Sequence, residues 1–179
     1  YEICEGLVGS EMCIRHSNKV GCEVNDLGII KDNYSETKKL ILNKIKLLDV
    51  IITSGGISKS KTDKIGKFFE NNAQIKFWRL SIKPGRPFAF GKIKNTPFIG
   101  LPGNPVAAII TFFMLVIDYI KVLSGLKEKQ TIERILPCDF EMKKRKGRTE
   151  WLRGTIIKKK NLYFLTKFDS TGSGIISSI

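Results

Sequence analysis

Residues 49–56 read Asp49-Val50-Ile51-Ile52-Thr53-Ser54-Gly55-Gly56. A short, continuous apolar run without polar alternation is the pattern of a strand covered on both faces of a parallel sheet. Here it stops abruptly at a Ser-Gly-Gly turn. Just upstream, Asp32-Asn33-Tyr34-Ser35-Glu36 is a helix-start cluster, with Glu36 three residues after Asn33 in the spacing of a capping box. Leu40, Ile41, Lys44, Ile45 and Leu48 then recur on one helical face. Cys22 to Ile30 alternates loosely and reads as a further strand. Downstream the same alternation continues. Asp63 to Asn71 reads as a helix and Ile75 to Ile82 as a strand. Pro87 to Lys92 and Pro97 to Leu101 read as two short strands joined by a Lys-Asn turn. Pro102-Gly103-Asn104-Pro105 leads into a long helix ending near Ser124-Gly125. Strands alternating with helices predict a doubly wound α/β sheet.

Past Gly125 the pattern changes. Leu126 to Gln130 is a polar linker, Lys143 to Arg148 a basic loop, and Thr131 to Phe140 and Thr149 to Phe168 read as β-structure. A hairpin is expected around Lys158-Lys159-Lys160-Asn161. Residues 128–179 therefore predict the start of an all-β unit, too small at this length to be more than marginal alone. At the other end, residues 1–17 (YEICEGLVGSEMCIRHS) show neither helical nor strand periodicity. LVGSEMCIRHS resembles translated sequencing-adapter read-through, so the expectation is a leader outside the fold.

The 179 residues are 42% hydrophobic, as in ordinary globular chains, and carry 31 basic against 17 acidic residues, a net +14. Such a surface favours anions, but the lysines are spread along the chain and form no nucleic-acid motif. Nucleic acid is therefore not an expected partner. The cysteines Cys4, Cys13, Cys22 and Cys138 show no CxxC spacing, and His16 is the sole histidine. A zinc or iron–sulfur site needs more clustered ligands, and a catalytic thiol would lack a histidine. The pattern suits a reducing, cytoplasmic setting, with Cys22 and Cys138 expected to be buried and inert. The longest apolar run, Val106 to Ile120, reads as a buried helix and falls short of the ~18–20 residues that span a bilayer, so no membrane partner is expected.

In open α/β sheets, ligands bind beyond the carboxyl ends of the strands. Three segments leave strands there. Thr53 to Thr62 offers Gly55 and Gly56 for close backbone approach, with hydroxyls from Thr53, Ser54, Ser58, Ser60 and Thr62 before Asp63 starts a helix. A Ser-rich turn with Asp63 as a plain N-cap would look the same. Arg79-Leu80-Ser81-Ile82-Lys83-Pro84-Gly85-Arg86-Pro87 sets three cations around a Pro-Gly turn, and Arg79 and Lys83 suit a phosphate or pyrophosphate. A solvated basic strand is the plainer alternative. Pro102-Gly103-Asn104-Pro105 is a stiff strand-to-helix connection.

Three ordered motifs, TSGGIS, FWRLSIKPGRPFAFG and GLPGNPVAA, resemble the molybdopterin molybdenumtransferases, the MoeA and gephyrin E-domain group. The likeness extends upstream through DLGIIKDN and downstream through EWLRG and TGSGIISS, over about residues 18–179. It implies that residues 18–125 are a molybdopterin-binding domain with the three-layer sandwich of the MoaB/MogA type, lacking its first elements, and that residues 128–179 begin a barrel-like β-domain. It also implies insertion of molybdate into adenylylated molybdopterin with release of AMP, dependent on Mg²⁺. By position, Asp32 and Asp63 would be the catalytic carboxylates and metal ligands, with Lys83 a third catalytic residue. Thr53, Ser54, Gly55, Gly56 and Ser58 would line the pterin-phosphate loop. Arg79 and Lys83 would hold anionic oxygen, and Pro102, Gly103, Asn104 and Pro105 would shape the wall. Arg153 and Ser173 would face the cleft from the β-domain. A homodimer in the full-length parent, and a molybdopterin adenylyltransferase as donor partner, are implied in the same way.

Ser60 and Lys61 stand where family members usually carry Gly followed by an acid. The molybdopterin adenylyltransferase of the same fold is a rival reading, which the β-domain and the long IKPGRPFAFG hairpin disfavour. A scaffold that kept the fold without activity is another, and the Asp32/Asp63/Lys83 set argues against it. The chain by itself is expected to be inactive.

Overall fold

A computed structural model describes residues 5–30, 33–57, 64–126, 133–144 and 146–168. Its centre is a four-stranded mixed sheet built from β1 (Ile51–Ser54), β2 (Ala73–Arg79), β4 (Pro87–Ile93) and β5 (Thr96–Leu101), in the order β1-β5-β4-β2. β1 and β5 run parallel, whereas β4 is antiparallel to both β5 and β2. The expected Lys-Asn turn joins β4 to β5, with Lys94 in the left-handed region.

Alternation along each strand sends side chains to two separate cores. Ile51, Ala89, Ile93 and Phe98 pack on one face with Ile41 and Ile45, and with Phe68 and Phe69. These partners come from α2 (Tyr34–Lys44) with its following turn, and from α3 (Lys64–Asn72). Ile52, Phe88, Ile99 and Leu101 pack on the other face, against Ala108, Phe112, Val116 and Ile120. The result is a three-layer α/β/α sandwich. Asn33 caps α2 as expected: its side-chain oxygen accepts N–H groups of Ser35 at 3.0 Å and Glu36 at 3.4 Å.

The second helical layer holds the main departure from the sequence reading. Glu5–Lys19 is a helix, α1, that packs on α4 (Pro105–Thr111) and buries Cys13 and Ser17. His16 meets Phe113 edge-on at 4.6 Å. The segment thus belongs to the fold. Its periodicity was hard to see because, among the described residues, those it buries, Cys13 and Ser17, are small and in one case polar. Its end is nevertheless well signalled. Gly21 has φ +91°, its N–H bonds to the Asn18 carbonyl, and the Cys22 N–H bonds to the Ser17 carbonyl. This is the Schellman arrangement that glycine makes available after a helix.

Cys22 to Ile30, expected as a strand, has no strand partner among the described residues. Asp26 accepts the Gly28 N–H in a local turn, Gly28 has φ +70°, and Ile29 is exposed. Such local bonding competes with a ladder. Cysteine burial also differs from expectation: Cys13 is buried, Cys22 half-buried and Cys138 exposed.

The long apolar helix is continuous through α4, a π-helical turn at Phe112–Val116 and α5 (Ile117–Leu123). At 19 residues it is long and apolar enough to cross a membrane by length and composition, more than the shorter run suggested. Half of it is buried inside the sandwich, where it forms the core layer over Ile99 and Leu101.

Downstream, β6 (Thr149–Glu150) pairs in parallel with β3 (Ile82–Lys83). β7 (Gly154–Lys159) and β8 (Leu162–Lys167) form the expected hairpin. Lys160 and Asn161, both at positive φ, make its two-residue turn. Among the described residues these sheets are open; they do not close into a barrel. Among the described residues after Ile120 none is a buried hydrophobic, so the described part of this unit has no core of its own.

Candidate functional site

The topology gathers the motif loops at one edge of the sheet. β1 and β5 are parallel, with Ser54 beside Leu101, so both carboxyl ends exit there. Antiparallel β4 begins at that edge and β2 ends there, with Arg79 beside Pro87. The Gly55-Gly56 loop, the Pro102–Pro105 loop and the cationic turn after Arg79 therefore share an edge, although they come from three distant parts of the chain.

The first two loops touch. The Gly55 N–H donates to the Leu101 carbonyl at 3.1 Å, extending the parallel ladder by one residue. A Cβ on Gly103 would sit 3.6 Å from the Gly55 Cα, so the gap between the two backbones would just take a methyl group. Gly55 and Gly56 both have positive φ, +83° and +63°, which side-chain-bearing residues seldom adopt. Beyond them the buried Ile57 carbonyl accepts the Trp78 indole N–H at 2.7 Å. Trp78 is itself buried on β2, next to Arg79, and so ties the glycine loop to the strand carrying the cation.

The cationic turn is held from two sides. The Leu80 N–H bonds to the Arg86 carbonyl at 3.1 Å, which closes the turn at its base. Gly85, at φ +104°, lies so close to α4 that any Cβ would collide with the Thr111 side chain. Arg79, Lys83 and Arg86 remain exposed. Lys83 Nζ lies 3.6 Å from Glu150 Oε1 on β6.

The surroundings of the other expected site residues vary. The Asn104 side-chain oxygen caps α4 by accepting the Ala107 N–H at 3.1 Å, and Pro102 and Pro105 are buried in the connection. The Thr53 hydroxyl oxygen is buried and, among the described residues, has no hydrogen-bond partner. Ser54 is half-buried. Arg153 is half-buried just after β6, its carbonyl accepting the Phe168 N–H at 3.0 Å. Asp32, Ser58, Asp63 and Ser173 lie outside the described residues. Trp78, Gly85 and Glu150 lay inside quoted motifs, but their roles depend on distant partners: Ile57, Thr111 and Lys83.

Residues 10–122 match a family model described as "probable molybdopterin binding domain". The chain belongs to this molybdopterin-binding domain family. The match begins inside α1, consistent with that helix being part of the sandwich. The molybdopterin molybdenumtransferase of Haemophilus influenzae is 42% identical over 137 residues, covering 76% of this chain and 34% of that protein. The molybdenum cofactor synthesis protein cinnamon of Drosophila melanogaster is 31% identical over 136 residues, covering 73% of this chain and 22% of its own length. This molybdopterin-binding chain thus spans about a third or less of those two relatives. In structure it resembles the molybdopterin biosynthesis MoeA protein of Pyrococcus horikoshii, with a TM-score of 0.74 over 99% of this chain and 40% of the other. At 21% identity that likeness establishes the shared fold.

Proposed function

We propose that this chain is the substrate-binding core of a molybdenumtransferase that inserts molybdate into adenylylated molybdopterin and releases AMP. The observation that carries the reading is the convergence of the Gly55-Gly56 loop, the Pro102–Pro105 loop and the Arg79–Lys83 turn on one sheet edge. The glycine loop lets a phosphate or pterin approach main chain closely, and the cations neutralise anionic oxygen. Cleaving a phosphoanhydride depends mainly on positioning and charge neutralisation, so a site without histidine or a thiol nucleophile is adequate.

Asp32 and Asp63 are the residues that would hold Mg²⁺. Their resemblance to the metal-site carboxylates of the molybdenumtransferases supports this assignment. The buried Thr53 hydroxyl, without a partner among the described residues, adds an oxygen near the carboxyl end of β1, which fits a hard cation or a ligand oxygen. When bound, the ion would offset negative charge on the phosphoanhydride. Arg79 and Lys83 hold the phosphate or molybdate oxygens, while Gly55 and Gly56 supply main-chain contact. The full-length parent works as a cytoplasmic homodimer that receives its substrate from a molybdopterin adenylyltransferase.

The test is a chimera in which residues 5–168, α1 included, replace the matching segment of the Haemophilus relative, assayed for molybdate-dependent release of AMP. Activity is expected, and Asp63→Ala should lower it by about a hundredfold or more with little change in melting temperature. Wild-type turnover by the Asp63→Ala chimera refutes the role given to Asp63. A well-folded chimera without turnover refutes the assignment of the core.

A further inference from the structure

We infer that Glu150 is the resident counter-ion of Lys83, a positioning residue that holds the ammonium at the site and yields it to an incoming anion. The inference rests on the proposed reading of Lys83 as an anion-binding group. Lys83 and Glu150 are register partners in the parallel β3–β6 pair. The backbone fixes that pair without help from side chains: the Thr149 N–H donates to the Ser81 carbonyl at 2.8 Å and the Trp151 N–H to the Lys83 carbonyl at 2.9 Å. The side-chain contact is therefore free to serve another purpose.

Its geometry suits exchange. The Nζ···Oε1 distance of 3.6 Å is an ion pair beyond good hydrogen-bond length. The Lys83 side chain is 59% exposed and that of Glu150 only 18%, so the acid is largely fixed while the ammonium can swing in water. A loosely paired, exposed ammonium loses little on leaving its carboxylate. A phosphate or molybdate oxygen offers it a stronger, charge-assisted hydrogen bond. Until then Glu150 offsets the charge of Lys83, and it also repels the anion that competes for the same cation. Because Glu150 belongs to the downstream β-unit and Lys83 to the sandwich, the pair also makes anion affinity at the sheet edge depend on how the two units are joined.

Inorganic pyrophosphate titrated calorimetrically into the full 179-residue chain at low ionic strength tests this, with melting temperatures as the folding control. Lys83→Ala should weaken binding by about tenfold. Glu150→Gln and Glu150→Ala should each tighten it about threefold to fivefold, while Glu150→Asp, which keeps the charge, stays within about twofold of wild type. In a Lys83→Ala background, Glu150→Gln should change nothing, because Glu150 acts only through that ammonium. A purely structural Glu150 would give weaker binding in both neutral variants and the same loss in the Lys83→Ala background. If Lys83→Ala weakens binding but neither neutral variant tightens it, the counter-ion role is overturned and the anion site stands. Unchanged binding in Lys83→Ala overturns the anion-site reading itself.

Discussion

Replacing Trp78 with Phe probes the joint between the glycine loop and the cationic strand. The Trp78 indole is buried and donates to the carbonyl of Ile57, itself only 2% exposed, at 2.7 Å. Phenylalanine keeps an aromatic ring in the core but removes the donor. Stranding the buried carbonyl costs about 1–3 kcal/mol, and the smaller ring adds about 1 kcal/mol of lost packing, so a loss of about 2–4 kcal/mol is expected. Against a typical total of about 5–15 kcal/mol that is a large fraction. Urea unfolding should show a lower midpoint at unchanged slope, since the surface exposed on unfolding hardly changes. The loss should also be local. Amide exchange at Gly55, Gly56 and Ile57 should accelerate more than at Phe98 or Ile99 in the central β5 strand, and pyrophosphate affinity should fall with it. A destabilisation under about 0.5 kcal/mol, with loop exchange unchanged, would refute the claim that this hydrogen bond anchors the loop.

Gly100→Ala tests packing beneath the same loop. The new Cβ would lie 2.5 Å from Ile57 Cγ2 and 3.2 Å from the Ala89 Cβ, so overpacking should cost about 1–3 kcal/mol, read as a lower melting temperature. Burial raises the Cys13 thiol from 9.0 to about 12. A group whose folded value is raised stabilises fully below its unfolded value and loses that contribution as pH climbs toward the folded one. Stability should therefore decline between pH 9.0 and about 12, and Cys13→Ala should flatten the decline in melting temperature over that window.

The elements that carried a local signature were legible in the chain itself. Asn33 announced α2 because an N-cap bonds within its own first turn. The Lys160-Asn161 turn announced its hairpin because both residues must adopt positive φ in a two-residue loop. Periodicity failed for α1, whose buried residues among those described are only Cys13 and Ser17, although Gly21 closes it. It failed in the opposite sense for residues 22–30, where loose alternation found no strand among the described residues to pair with.

The candidate site divides along the same line. Its chemical inventory was readable from sequence alone: glycines that tolerate left-handed backbone, cations around a Pro-Gly turn, and a proline-bounded connection. The motifs and their order pointed to molybdopterin chemistry before any contact was known. What only the tertiary structure decided was adjacency. The parallel β1–β5 pair brings Gly55 against Gly103, the Trp78 indole reaches Ile57, and β6 delivers Glu150 to Lys83. Local propensity acts over a few residues and leaves its mark in the chain; these contacts span 21 to 67 positions, and their register is set by the sheet ladders and the two buried cores.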